Sequence, residues 1–137
     1  MRPEYLERKV TLDAKSWLNL CASMTAELVM DEQEPALAAA LSLSTGFIQR
    51  GMSGLLGLGE EPATIDGNFF TLAAATHLSA SRDNGLEAIA DNGPSMRGAA
   101  LHHLGIEVDL LCRLAEKLFG RDKDFEEPPA EKDGDEA

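Results

Sequence analysis

A histidine and an acid four residues apart share one face of a helix, and that spacing could hold a metal or a proton relay. His103 and Glu107 stand at that spacing, and His77 lies on an earlier helical segment. His102 is adjacent to His103, so on a helix the two rings point about 100° apart and do not share a ligand. A carboxylate-bridged metal pair in a bundle needs Glu-x-x-His on two helices, and no such tetrapeptide occurs in the chain. Histidine at a boundary between core and solvent is the commoner arrangement. The expectation is therefore no metal and no cofactor. His77, His103 and Glu107 are kept as the residues of an alternative ligand- or metal-binding bundle.

Other chemistry finds less support. No serine sits in a Gly-x-Ser-x-Gly elbow, and Gly51-Met52-Ser53-Gly54 lacks that spacing. Gly51 to Gly57 has no Gly-Lys-Ser/Thr ending and no preceding strand, so a phosphate loop is not expected. Its alternating leucines and glycines fit backbone packed closely on a neighbour. Cys21 and Cys112 fall within apolar helical patterns and read as reduced, buried thiols. Arg113 beside Cys112 points elsewhere on a helix and does not activate it. No catalytic set emerges, and the chain is read as a non-enzyme.

A helix-turn-helix is conceivable over Leu86–Ala90 and Met96–Leu104, about the turn Asn92-Gly93. Its second helix would offer Arg97 as the one firm positive charge. The whole chain carries a net charge of -12. Residues 121–137 hold three basic and eight acidic side chains, which accounts for -5 and leaves -7 in the first 120 residues. Such a charge repels phosphate backbones and anionic lipid, so direct nucleic-acid and membrane partners are not expected. Basic protein surfaces suit it better. The most apolar stretch, 36–59, is interrupted by Gln49, Arg50 and five glycines, short of a membrane span. The start of the chain lacks a signal-peptide pattern, and the expected location is cytoplasmic.

Helices must position these groups. Hydrophobic residues make up 44% of the chain and aromatic ones only 5%, so alanine and leucine fill the apolar positions and favour helix. One helix is expected from Thr11 or Asp13 to about Met30, with Trp17, Leu20, Cys21, Met24 and Leu28 facing inward. A second covers Pro35 to Arg50 through Leu37, Leu41, Ser44 or Thr45, and Ile48, with its continuation over 51–59 left open between helix and loop. Arg8–Leu12 is a short strand candidate, and Glu60–Gly67 reads as loop. A third helix starts near Asn68 as its cap. Asp83-Asn84-Gly85 and Asp91-Asn92-Gly93 each resemble a helix end, which makes Leu86–Ala90 a short helix of its own. The last helix spans Ser95 to Phe119. Its apolar positions cover more of its circumference than one neighbour can bury.

The resulting expectation is an all-α compact bundle of four main helices plus one or two short ones. Residues 1–120 form a single helical domain, and 121–137 a disordered acidic tail with Pro128-Pro129. The expected function is protein–protein binding of adaptor, immunity or inhibitor type, with self-association as a homodimer among its forms and a mobile element as one origin. The expected interface is Leu101, Leu104, Val108, Leu111, Leu114 and Leu118. A third reading is acidic mimicry of nucleic acid by Glu60, Glu61, Asp83, Glu87 and Asp91.

Overall fold

In the computed structural model, which describes residues 6–92 and 97–120, the chain runs β1 (Lys9–Leu12), α1 (Ala14–Asp31), α2 (Pro35–Leu56), β2 (Ala63–Asp66), α3 (Gly67–Asn92) and α4 (Arg97–Phe119). The four main helices expected from the sequence are present. The tail 121–137 and the opening of the last helix at Pro94-Ser95 lie outside the described residues.

The starts of α1, α2 and α3 and the end of α2 each have a local cause. Asp13 caps α1 by accepting from the Ser16 amide at 2.7 Å. Pro35 occupies the first turn of α2, where a missing N–H costs nothing. The second helix does not stop at Arg50: it continues through the glycine-rich stretch to Leu56. Gly57 then adopts φ 68, its amide donating to Gly54 and the Leu58 amide to Ser53, the paired bonds of a Schellman motif. The cap of α3 is Asp66, whose carboxylate accepts from the Phe69 amide at 2.7 Å, one position pair earlier than the Asn68 cap expected. Asp83-Asn84-Gly85 does not end α3. The helix continues to Asn92 and absorbs the separate short helix expected over 86–90.

Residues 60–67 are not all loop. Ala63–Asp66 pairs antiparallel with Lys9–Leu12, in register Lys9 with Asp66 and Leu12 with Ala63. Flanking bonds from Ala14 N–H to Gly59 and from Gly67 N–H to Arg8 extend the clasp. The ribbon closes one end of the bundle, burying Leu12 and Ile65.

The core runs from that ribbon along the helices. Trp17 packs edge-on to Phe70 at 6.2 Å, and Phe70 to Phe119 at 5.7 Å. The indole N–H of Trp17 donates to the Gln49 carbonyl at 2.9 Å, tying the start of α1 to the far half of α2. Those two helices are therefore antiparallel. Phe70 against Phe119 sets α3 and α4 antiparallel in the same way. Met24, Ile48, Met52, Leu110 and Leu114 complete the buried layer.

Candidate functional site

Beyond the aromatic end, the core turns polar. Glu107, on α4, is only 1% exposed, yet it is an acid. Burying a lone carboxylate is costly, so the neighbours must compensate it. Ser81 of α3 donates its hydroxyl to Oε1 at 2.7 Å. His77 Nε2, also from α3, stands 3.0 Å from the same oxygen. His103 Nε2, one turn before Glu107 on α4, stands 2.8 Å from Oε2. The structure thus brings His77 to the pair His103 and Glu107, which spacing had placed on one face.

Two further contacts fix the rings. Ser44 Oγ of α2 lies 3.1 Å from His103 Nδ1, and Phe47 meets that ring edge-on at 5.7 Å. With Nε2 facing a carboxylate that can only accept, neutral His103 carries its proton on Nε2, and the Ser44 hydroxyl donates to Nδ1. If His103 is protonated, Ser44 becomes the acceptor. His77 is set by steric fit. A Cβ on Gly51 would stand 2.5 Å from His77 Nδ1 and 2.8 Å from Cε1, so the ring fills the space left by the missing side chain.

Burial pushes the Glu107 carboxyl up. The His77 contact, the Ser81 hydrogen bond and the charges of His77 and His103 act the other way, and together they hold it below its ordinary value. The group is ionised at neutral pH. The His77 contact is close but not in line: Nε2 is buried and no acceptor lies along its N–H direction among the described residues.

Ser44, His103 and Glu107 follow one another in the order nucleophile, base and acid, but Ser44 has no exposed surface. A substrate carbonyl has no route to its oxygen. For a metal, the ligands would have to converge on one point. Here each imidazole approaches a different oxygen of one carboxylate, and among the described residues no three such side chains are placed to hold a cation. Geometrically the carboxylate is the shared partner of two rings. His102 does not share the site with His103, as their adjacency predicts; it is exposed and lines a groove on the outer side of α4. Ser44 and Ser81 were not foreseen, whereas the close packing expected of the glycines from 51 to 57 is found at Gly51 and not at Gly54 or Gly57, where a Cβ would meet nothing within 4 Å. Ser81 carried a signal, since it lies one turn after His77 on the same face of α3. Ser44 stood in an apolar pattern, and nothing marked it as a partner for histidine.

The expected interface residues divide. Leu111 and Leu114 belong to the chain's own core, at 4% and 0% exposure, and are not available to a partner. Leu104 and Leu118 are half-buried. Leu101 and Val108 are 59% and 43% exposed. Leu101 also forms one wall of an open groove of about 600 Å³ between the end of α1, the start of α2 and the outer side of α4. Leu28, Leu37, Leu41 and Ile106 line it, with Asp31, Glu32, Asp109 and Arg113 at its edges. Of the two cysteines, Cys21 is buried, its thiol pushed up to about 12 by burial, whereas Cys112 is exposed on α4, contrary to the expectation that both are buried. No helix among the described residues is long and apolar enough to cross a membrane.

Comparison of the chain with protein-family models, curated proteins and solved structures finds no match to any of them.

Proposed function

We propose that this chain is a non-enzymatic, cytoplasmic binding protein that holds a protein partner against α4 and the groove beside it, in an adaptor, immunity or inhibitor role. The observation that carries this reading is the groove itself. Leu101 stands at its wall more than half exposed, beside the half-buried Leu28, Leu37, Leu41 and Ile106. An aliphatic trough with charged edges is the form taken by a surface that seats another chain. Val108, two turns along from Leu101, extends the apolar strip. Among the described residues, the polar cluster around Glu107 is largely buried, with the His103 side chain 32% exposed, and it joins α2, α3 and α4.

The test compares three variants that should all fold, since each changes an exposed leucine or valine. Partners recovered from the native source should be lost with Leu101→Asp, weakened with Val108→Asp and retained with Leu72→Asp, which alters an exposed residue on α3. Loss that is equal in all three, or in none, removes the reading. Self-association is measured on the same proteins by sedimentation equilibrium. A dimer that dissociates on Leu101→Asp makes a second copy the partner.

The unaligned His77 Nε2 favours one second reading, a ligand site at His77, His103 and Glu107. It requires that the three side chains regroup about an added ion, since each ring now faces its own oxygen of Glu107, so that zinc raises the melting temperature of the wild type and not of His77→Ala. The mimicry reading draws no comparable support. Glu60 and Glu61 precede β2, whereas Asp83 and Glu87 lie about 24 Å or more along α3 from its first residue.

A further inference from the structure

We infer that the segment seated in the groove is an amphipathic helix of another protein, with aliphatic anchors flanked by lysine or arginine. This rests on the binding role proposed above and names the chemistry of its partner. Shape comes first. The walls are helices and the carboxyl end of α1, so the groove offers no strand edge for an incoming β-strand. No phenylalanine, tyrosine or tryptophan lines it, and the one ring there is the imidazole of His102, so it lacks the broad aromatic platform on which a proline-rich segment docks. What remains is an open, mainly aliphatic trough of about 600 Å³, suited to the leucine- or isoleucine-type side chains that a helix presents one turn apart.

Charge then chooses the partner. On the α1 side the edge is Asp31 and Glu32, and on the α4 side Asp109. The cation at that edge, Arg113, is already engaged with Asp109 at 3.1 Å. Asp31 and Glu32 also stand at the carboxyl end of α1, where the helix dipole is negative, and the last turn of α1 contains no basic residue. A lysine or arginine from outside would meet two carboxylates and a dipole end together. A second copy of this chain is poorly matched, because it carries the same charge of -12 and the same acidic edge.

Two synthetic peptides of about 18 residues test this, long enough to form a helix on binding. Both carry leucine at i, i+4 and i+7 in an alanine background. One has lysine at the flanking positions and the other glutamate. Titrated by fluorescence anisotropy at about 0.1 M salt, the lysine peptide should bind the whole protein at least about tenfold more tightly than the glutamate peptide. Leu101→Asp should weaken the lysine peptide about tenfold, by placing a charge in the apolar trough. Asp31→Asn with Glu32→Gln should weaken it and flatten its salt dependence, and Leu72→Asp should change nothing.

Equal loss with Leu101→Asp and Leu72→Asp, or no loss with either, marks adsorption to an acidic surface and overturns the inference. So does equal binding of the glutamate peptide, or failure of the lysine peptide to bind the wild type. If the peptide fails while native partners still depend on Leu101, the partner's chemistry is wrong and the binding role stands. If native capture ignores Leu101 as well, both fall.

Discussion

Gly51 and His77 show how much one missing carbon decides. In an exposed helix, Gly→Ala stabilises by about 1 kcal/mol. At position 51 the new methyl would meet the His77 ring at 2.5 Å, so the ring must leave Glu107 or α2 must move away from α3. Overpacking of this kind costs about 1–3 kcal/mol, enough to cancel or reverse the helix gain. The two effects separate in a double-mutant cycle read by urea unfolding. Gly51→Ala should be neutral to destabilising in the wild type and stabilising by about 1 kcal/mol in His77→Ala. The same sign and size in both backgrounds would show that the ring and the glycine are independent. Glu107 adds a pH signature. Folding holds its carboxyl below the ordinary value, so the folded chain takes up that proton less readily than the unfolded chain. The associated stability is present above about pH 4.5 and is lost as pH falls through the lower, folded value. Glu107→Gln should lower the urea midpoint at pH 7 and make the acid-side fall shallower. Parallel curves for the two proteins would detach Glu107 from acid stability.

Among the elements, α3 best separates what was legible from what was not. Its apolar residues announced a helix, but its start and its length were both misread. Asn68 and Asp66 are equally good caps by residue type, and the choice was made by β2. The strand ends at Asp66 and leaves that side chain facing the Phe69 amide. Asp66→Ala should therefore cost about 1 kcal/mol, with faster exchange of the Phe69 amide, and Asn68→Ala should cost close to nothing. The reverse order would return the cap to Asn68. The strand itself was hard to see, because four residues carry little pattern and its partner lies about fifty positions away. Asp83-Asn84-Gly85 carried a local stop signal that α3 overrides. The tripeptide begins two residues after Ser81, which is held to Glu107, and local propensity is the weaker term where tertiary contacts intervene. For α4 the broad apolar face was read correctly, but a sequence does not state which arc of it the chain keeps. The chain keeps Leu110, Leu111 and Leu114 and leaves Leu101 and Val108 outside.

At the scale of the molecule, the same principle governs the site. Spacing placed His103 and Glu107 on one face, and only the packing of α3 against α4 could bring His77 and Ser81 to them. Charge was legible throughout, and it makes the last prediction. Several ion pairs are exposed, among them Arg82–Asp83, Arg113–Asp109 and Lys117–Glu27, and exposed pairs contribute little. Against them stands the mutual repulsion of a chain carrying -12. Screening that repulsion stabilises the compact state, so the melting temperature should rise by a few degrees between about 0.05 and about 0.5 M sodium chloride. The same screening weakens attraction between the acidic groove edge and a basic partner, so partner affinity should fall over the same range. Opposite signs from one variable distinguish self-repulsion from a general effect of salt on apolar burial, which would strengthen both folding and docking. Stability that falls with salt would mean that attractive pairs outweigh the net charge, and the acidic exterior would lose its role in choosing the partner.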